Sequence, residues 1–525
     1  MSLRHKAATT AVFAYLQFAL AIVTGIFLVP LTLHSLGARL WGVWLASGEV
    51  LAYAGMTDLG MLAVLPWMIA EAEGRRNRDE ISGLVAQGIW LGGVVAVVYV
   101  GVSVVLWQLL PSALFLNAGD RHLVVRPLAL TVVMIAATYP LSAYRAYLTG
   151  TQDVAFIGVM TLAQNALSAV LTAVLLLKGF GLYALAVATA GPPLAGAALY
   201  FIRAARLAPD VVFRFALPHG RTLKFLFSNG IGVWFGNLGW QLLAASNGIV
   251  ITYLGHPEWV AVYACTSKLS AMCMPLAWVL PDSGHIGLAQ LHGENRSAPR
   301  VRSVIALMQR LHLVIAGVVA VGLLAFNPAF VTWWVGPQMF GGLPLNAWLA
   351  LGVVVHSFTH GLMTSAAITG NRPRVGALAL LNGALQAPLA IFLGHRFGIV
   401  GVPAAAVLGV AMTSLPGSLS LLRGSTDLHA RALVVDLTLP WAARAVPLLA
   451  IAALAGAFYA SVGVWIASVL ASLLCLGYVW FLRPFYAEGL PLDDRWIRWL
   501  RRFHLLPPAF PGPAASPLEE VGAPR

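Results

Sequence analysis

Charge is scarce in this sequence. Only 10% of its 525 residues are Asp, Glu, Lys or Arg, while 59% are hydrophobic and the mean hydropathy is +0.83. Soluble globular chains are about one-quarter charged. Because so few charged side chains cannot cover so much apolar surface, the composition excludes a soluble globular protein.

Cysteine is nearly absent, and so are the motifs of enzymes. The three cysteines, Cys265, Cys273 and Cys475, fall inside long apolar segments. We interpret them as small apolar residues and not as disulfide partners or metal ligands. A phosphate-binding Gly loop, a zinc-ligand spacing and a nucleophile elbow are missing at usable positions. We therefore expect no metal and no bound cofactor, and we do not expect an enzyme.

Long apolar segments are what the sequence has in abundance. A membrane-spanning helix needs about 20 apolar residues, and such segments recur from Ala11 to Leu482. The pattern predicts an all-α polytopic membrane protein with about 14 transmembrane helices. Their predicted limits are 11–33, 41–68, 84–109, 127–148, 154–177, 179–202, 225–254, 259–287, 304–326, 343–369, 375–394, 398–422, 441–460 and 462–482.

The distribution of Lys and Arg predicts the orientation. If the N-terminus lies inside, most of the 32 basic residues fall in inside loops and tails. This bias predicts that both termini are cytoplasmic. It also explains the net charge of +13 by topology and contact with membrane lipids, without nucleic acid as a partner. The five basic residues predicted outside are Arg39, Arg121, Arg126, Lys178 and Arg396.

An internal repeat divides the chain. HSLGARLWGVW (34–44) is similar to YLGHPEWVAVY (253–263), and Phe180 with Gly181 aligns with Phe397 and Gly398, 217 positions later. The near-constant shift predicts two six-helix lobes in the same orientation, a transporter layout with its site between the halves near mid-membrane. The predicted parts are an N-terminal lobe 1–202, a cytoplasmic linker 203–224, a C-terminal lobe 225–422, an extra helix pair 441–482, and a cytoplasmic tail 483–525 with an interfacial helix at 493–503 and a disordered end.

One motif indicates a family. The segment LGARLWGVWLASGEVLAYAGMTDLGM, followed by the polar loop AEAEGRRNRDEI, resembles the first hairpin of the polysaccharide-export, or O-antigen-type, flippases of the multidrug/oligosaccharidyl-lipid/polysaccharide (MOP) superfamily. Through the repeat, the resemblance extends over about residues 10–422. The residues that carry the motif are Gly37, Trp41, Gly42, Trp44, Asp58, Leu59 and Gly60.

The resemblance implies a function. Such proteins move an undecaprenyl-pyrophosphate-linked sugar from the inner to the outer leaflet, and we expect alternating access between two lobes. Many members have twelve spans, whereas about fourteen are predicted here. The lipid II flippases resemble this layout too, so a lipid II flippase stays an alternative. The resemblance also implies that Asp58 is structural, and we expect it to cap or tie a helix break near Gly55 and Gly60.

Two charges within predicted spans are candidate transport residues. Ionisable groups in a span are costly and usually face a cavity or a partner. Glu49 and Lys268 hold nearly equivalent positions in the repeat, on spans 2 and 8. One interpretation is that Lys268 attracts the lipid pyrophosphate while Glu49 is its counter-charge or a proton site. The alternative is an ion pair, or charges satisfied by packing.

Other polar residues in the spans have two interpretations each. Asn237 and Gln241 share a helix face and could bind sugar hydroxyls or another helix. His356 and His360 share a face of span 10. They are either packing residues or a proton relay that couples transport to H⁺. Arg145 and Arg310, near cytoplasmic helix ends, snorkel to the interface or catch a pyrophosphate on entry.

These patterns predict a multi-pass protein of the bacterial inner membrane. Its expected partners are a lipid-linked oligosaccharide, membrane lipids, and polysaccharide polymerase or assembly proteins. The expected driving force is the membrane potential, or coupling to H⁺ or Na⁺. A cation-coupled multidrug antiporter remains an alternative, although Lys268 counts against it. A membrane glycosyltransferase or polymerase would need a longer outside loop than the sequence has.

Overall fold

The structure is a computed structural model, and its described residues are all helical or in short connections, with no β-strand among them. It describes residues 3–113, 118–212, 214, 220–244, 246–254, 257–293, 298–426, 428–459 and 463–487. The predicted all-α polytopic fold is confirmed. The predicted interfacial helix at 493–503 and the Pro-rich end lie outside the described residues.

The chain divides into two compact units, Met1–Ala261 and Val262–Arg525. The sequence instead places the lobe boundary in the linker 203–224, and the predicted lobes stay a prediction. The helices up to the division are α1 Leu3–Ala54, α2 Met61–Gly74, α3 Arg78–Ala113, α4 Ala118–Gly150, α5 Val154–Leu177, α6 Leu182–Leu207, α7 Pro209–Val212, α8 Gly220–Ala244, α9 Asn247–Tyr253 and α10 Pro257–Thr266, which contains the division.

The second unit continues with ten further α-helices and with short turns of 3-10 helix and π-helix. The α-helices are α11 Lys268–Gly293, α12 Ala298–Val335, α13 Leu343–Ala366, α14 Arg372–Phe397, α15 Gly401–Met412, α16 Ser414–Thr426, α17 Ala430–Ala432, α18 Leu439–Tyr459, α19 Val464–Phe481 and α20 Arg483–Ala487. Single turns of 3-10 helix lie at Gly55–Asp58 in the first unit and at Pro337–Met339 and Gly398–Val400 in the second. The π-helical turns are Ala367–Asn371 and Leu433–Thr438.

In the first unit, α4 packs against α3 and α6, while α1 packs against α5. The main core cluster lies where α2, α3, α4 and α6 meet. Its fully buried members include Ile69, Val85, Leu148 and Ala204. The apolar side chains of these four helices are therefore buried against one another, and van der Waals packing of this kind holds helices together in lipid.

In the second unit, α12 is the central helix and contacts α11, α13, α18 and α19. Leu313, Val321 and Leu324 of α12 share one buried cluster with Trp441 of α18 and Tyr478 of α19. The helix pair that the sequence marks as extra is thus packed into the core of this unit. Its predicted limits, 441–460 and 462–482, agree with α18 and α19 to within a few residues.

Several predicted spans contain breaks that the hydropathy pattern does not show. Gly37, with φ 75° and ψ 161°, separates α1 into two helical parts within the connection predicted between the spans 11–33 and 41–68. The predicted span 41–68 is interrupted at Gly55–Gly60, and the predicted span 225–254 is interrupted between α8 and α9. A bend of 43° separates Pro257–Thr266 from Lys268–Val279. These spans are therefore not the continuous helices that the sequence predicts.

The described residues form a multi-pass membrane protein. By length and composition, nine of their helical stretches could cross a membrane, or up to ten if the bent pair counts as one span. Two of the nine, Leu16–Asp58 and Leu343–Thr426, each cover more than one predicted span. The predicted number of about 14 crossings stays a prediction.

Candidate functional site

Glu49 lies against the start of α9 in the first unit. Its Oε2 accepts a hydrogen bond from the backbone N–H of Ile249 at 3.0 Å. Gly248 permits this approach, because a Cβ there would lie 2.8 Å from Oε1 of the carboxylate. The first N–H groups of a helix lack partners within the helix, so Glu49 supplies an acceptor that the backbone of α9 needs.

Tyr53 extends the same contact one turn further along α1. Its hydroxyl lies 2.6 Å from Oγ of Ser246 and 3.4 Å from the backbone carbonyl of Gln241. Glu49 and Tyr53 therefore face the break between α8 and α9 together. The Gln241 side chain is half-buried and that of Asn237 is exposed, and the sugar-binding role of these two amides stays a prediction.

Asp58 stabilises the turn between α1 and α2. Its Oδ1 accepts a hydrogen bond from the Gly60 N–H at 3.1 Å. Leu59 and Gly60 both have positive φ, 49° and 74°, so the short side chain of Asp58 closes a turn in left-handed backbone conformation. Nearby, Trp234 of α8 donates from its indole N–H to the Met56 carbonyl at 2.8 Å, which ties the turn to α8.

The other residues of the family-like motif pack around the N-terminal hairpin. Trp41 is buried and Trp44 is half-buried. Gly42 allows the Pro257 carbonyl to approach so closely that a Cβ would overlap it. In the polar loop that follows, Arg75 is paired with both Glu71 and Glu80 at 2.7 Å, and the hydrogen bond to Glu71 raises the pKa of the Arg75 guanidinium. These contacts support a structural role for the motif.

Lys268 is the first residue of α11, directly after the bend in the backbone at Ser267. Its side chain is half-buried. Within the part of the chain that the structure describes, no carboxylate forms an ion pair with it. The suggested role of Glu49 as its counter-charge stays a prediction.

The two candidate arginines contact aromatic rings. The Arg145 guanidinium lies 6.0 Å from the ring centre of Tyr200, and that of Arg310 lies 5.1 Å from the ring centre of Phe485. Arg145 is exposed and Arg310 is half-buried. Cation–π contacts of this kind hold a guanidinium in place, and a role in catching pyrophosphate stays a prediction.

The two candidate histidines of α13 differ in their partners. Nδ1 of His356 contacts the Gly352 carbonyl of its own helix at 2.9 Å. Nε2 of His360 instead contacts both carboxylate oxygens of Asp282 on α11, at 3.0 and 3.2 Å. Sequence analysis did not select Asp282, His285 or His312, which surround His360. With His360, these residues come from three helices, α11, α12 and α13, so no local spacing in the sequence marks the whole set.

The backbone supports the internal repeat at one pair of glycines. Gly181 has φ 55° and ψ −134°, and Gly398 has φ 61° and ψ −144°. Each follows an exposed Phe, Phe180 or Phe397. This region of φ and ψ is open to glycine almost alone, so the aligned FG pairs have the same local conformation.

Solved structures show which known fold the chain has. The lipid II flippase MurJ, in an inward closed conformation, aligns with a TM-score of 0.65 at 14% identity, covering 89% of this chain and 98% of that chain. An inward-facing multidrug resistance MATE family transporter of the MOP superfamily aligns with a TM-score of 0.63 at 16% identity, covering 78% and 94%. MATE in the bent conformation aligns with a TM-score of 0.52 at 15% identity, covering 81% and 98%. The fold is therefore that of these multi-pass transporters.

Part of the sequence also matches the model of a known protein family. Residues 49–276 match the family model for polysaccharide biosynthesis proteins, a segment that begins at Glu49 and includes Asp58 and Gly60. No curated protein sequence matches the chain significantly. The resemblance that the motif indicates is therefore confirmed as a likeness: the family match covers residues 49–276, and the fold is similar to those of MurJ and of a MATE transporter of the MOP superfamily.

Proposed function

We propose that this protein flips a polyprenyl-pyrophosphate-linked oligosaccharide from the cytoplasmic to the outer leaflet of the bacterial inner membrane. The observation that carries the proposal is the match of residues 49–276 to the polysaccharide biosynthesis family on a chain with the fold of a lipid flippase. The product would serve assembly of a cell-surface polysaccharide such as O-antigen. Both termini are cytoplasmic in this proposal, as the Lys and Arg bias predicts.

Lys268 is the residue proposed to bind the pyrophosphate. A half-buried ammonium without a carboxylate partner among the described residues leaves its charge available to an anion. A cation in low dielectric attracts a phosphate more strongly than one in bulk water. Lys268 also lies at a backbone bend, where a small change of angle would move it, as alternating access requires.

The membrane potential is the proposed driving force. A pyrophosphate linker carries about two negative charges, and moving one charge outward through 100 mV gains about 2.3 kcal/mol when the cell is negative inside. Transport can therefore proceed without a dedicated ion site. H⁺ or Na⁺ coupling through Glu49, His356 or His360 is the alternative that the same assay tests.

The test is flipping of a fluorescent polyprenyl-pyrophosphate oligosaccharide in proteoliposomes with an imposed membrane potential. We expect the wild type to flip the lipid faster with the potential negative on the donor side. Lys268→Ala should lose most of the rate, Lys268→Arg should restore part of it, and Lys178→Ala, at an exposed lysine, should not change it.

Each result decides one part of the proposal. Equal flipping by Lys268→Ala and wild type would remove Lys268 from the site and leave the flippase function intact. Flipping of lipid II but not of other lipid-linked oligosaccharides would assign the lipid II alternative. Proton-coupled export of an organic cation, with no lipid flipping by folded protein, would overturn the proposed function.

A further inference from the structure

Four titratable side chains meet inside the second unit. Asp282 and His285 lie on α11, His312 on α12 and His360 on α13. From the oxygens of Asp282, Nε2 of His360 lies 3.0 Å away, Nδ1 of His285 lies 3.2 Å away and Nε2 of His312 lies 3.8 Å away. We call these four residues the Asp–His cluster.

The hydrogen bonding of His312 determines which of its nitrogens is free. Nδ1 of His312 lies 2.9 Å from the Met308 carbonyl. A carbonyl only accepts hydrogen bonds, so Nδ1 carries the proton and the neutral ring has a lone pair on Nε2. That atom is buried, has no hydrogen-bond partner, and lies 3.8 Å from an oxygen of Asp282. A lone pair thus lies beside a carboxylate, an arrangement that a cation between them would stabilise.

The spacing within the cluster suits a small metal ion. Zn²⁺ lies about 2.0–2.2 Å from imidazole nitrogens and carboxylate oxygens, so tetrahedral ligand atoms are about 3.4 Å apart. The distances of 3.0, 3.2 and 3.8 Å bracket that value. One ligand atom from each of Asp282, His312 and His360 lies within 4.8 Å of the others.

The surroundings hold the ligands and leave a way in. The His312 side chain is fully buried, whereas those of Asp282 and His360 are 37% and 30% exposed, so an ion can reach the cluster from one side. The Trp278 ring stacks on His360 at 4.3 Å between centroids, and its indole N–H donates to Ser357 at 3.0 Å. This stacking fixes the orientation of the His360 ring.

Gly361 lets α13 approach α12 at the cluster. A Cβ at Gly361 would lie 2.6 Å from Nε2 of Gln309 and 2.7 Å from Cε1 of His312. Both amide atoms of Gln309 are buried without a hydrogen-bond partner. Unsatisfied buried polar atoms are costly in a protein core. The Gln309 amide, one turn before His312 on α12, therefore has hydrogen-bonding capacity left over for a polar group at the cluster.

We propose that Asp282, His312 and His360 bind a divalent transition-metal ion, with Zn²⁺ as the reference ion and His285 as a further ligand. Imidazole ligands favour Zn²⁺ and its neighbours over Mg²⁺, Ca²⁺ or Na⁺, which take oxygen ligands. The hydrogen bond from His312 to the Met308 carbonyl is the outer contact that metal-binding histidines usually have. To bind through Nε2, the neutral His360 ring must carry its proton on Nδ1, so the proton moves between the two ring nitrogens by exchange with solvent and the ring stays neutral.

Metal binding would join α11, α12 and α13. An ion that binds only the folded state also raises its stability by mass action. The inference does not depend on the proposed transport function, because the cluster lies within one unit and its test measures binding and stability.

The test uses the full-length protein in detergent, without a histidine tag and after chelator treatment. Co²⁺ is titrated as a spectroscopic probe and then displaced with Zn²⁺. We expect one Co²⁺ per chain, visible absorption typical of tetrahedral coordination, and a higher thermal unfolding midpoint with Zn²⁺. His312→Ala and Asp282→Asn should weaken binding by more than about tenfold.

His356→Ala is the matched control, since His356 is one turn before His360 on α13 and bonds to its own helix. It should bind Co²⁺ like the wild type. If His312→Ala does not fold, His360→Asn, at a partly exposed position, provides the same comparison. Absence of saturable Co²⁺ or Zn²⁺ binding by folded wild type, or equal affinity in the cluster variants, would overturn the proposal.

Discussion

The Glu49 carboxylate accepts a hydrogen bond from the backbone N–H of Ile249 at 3.0 Å, joining α1 to the start of α9. The contact is close because Gly248 has no side chain to obstruct it. A carboxylate in a span thus has a structural partner, so a transport role is not needed to explain its position. Substitutions at Glu49 separate these two roles.

We expect Glu49→Ala to lower the thermal unfolding midpoint in detergent. Loss of the acceptor leaves the half-buried Ile249 N–H without its partner, and the cost is up to about 1–3 kcal/mol. Glu49→Gln retains an acceptor oxygen and should lose less. Glu258→Gln is the control, because the Glu258 side chain is 41% exposed and its ion pair with Arg39 is 3.9 Å long. Ion pairs that water reaches contribute at most about 1 kcal/mol.

The same variants test coupling at Glu49. If the residue only supports α9, Glu49→Gln should flip lipid at nearly the rate of the wild type. A normal unfolding midpoint with loss of flipping would instead assign Glu49 to coupling or to the substrate.

Gly60→Ala should destabilise the turn between α1 and α2. Gly60 has φ 74°, and a Cβ there would overlap the backbone carbonyl of Gly230 on α8. Backbone strain of this kind costs about 1–3 kcal/mol. Gly93→Ala is the control on α3, with no atom within 4 Å of the added Cβ, and it should be neutral or stabilising by up to about 1 kcal/mol. An unchanged midpoint for Gly60→Ala would contradict the close approach of the two backbones.

Gly181→Ala and Gly398→Ala should have similar effects, because the two glycines have nearly the same φ and ψ. Each should lower stability by about 1–3 kcal/mol, since an L-residue is strained there. Gly376→Ala, in α14 with open space around the added Cβ, is the control. The unfolding midpoints of the three variants check the prediction, and a large effect at one FG site with none at the other would count against structural equivalence.

Tyr478→Phe should loosen the packing of the C-terminal helix pair. The buried Trp441 indole N–H donates to the Tyr478 hydroxyl at 2.9 Å, and loss of this acceptor costs about 1–3 kcal/mol. Tyr183→Phe, at a tyrosine that is 39% exposed, should change the midpoint little. We would measure both by thermal unfolding, and equal stability would show that this hydrogen bond does not hold α18 to α19.

The sequence by itself determined the class of the protein. A 10% share of charged residues and recurrent apolar segments of about 20 residues predict membrane-spanning helices, because a helix of that length spans the bilayer and forms its backbone hydrogen bonds within one segment. The motif from Gly37 to Gly60 indicated the resemblance to the superfamily through local conformation as well. Gly37 and Gly60 have positive φ, which few residues other than glycine adopt, and Asp58 accepts a hydrogen bond at the helix break. Both inferences depend on local physics.

Tertiary structure decided what local physics does not encode. Hydropathy cannot show the breaks at Gly55–Gly60 and at Ser246, since both sides of each break remain apolar. Nor can it show that Glu49 meets the amide of Ile249, or that Asp282, His312 and His360 meet from three helices, because these contacts depend on how helices pack. The sequence identified His360 as a polar residue in a span, and only the packing of α11, α12 and α13 provided its partners.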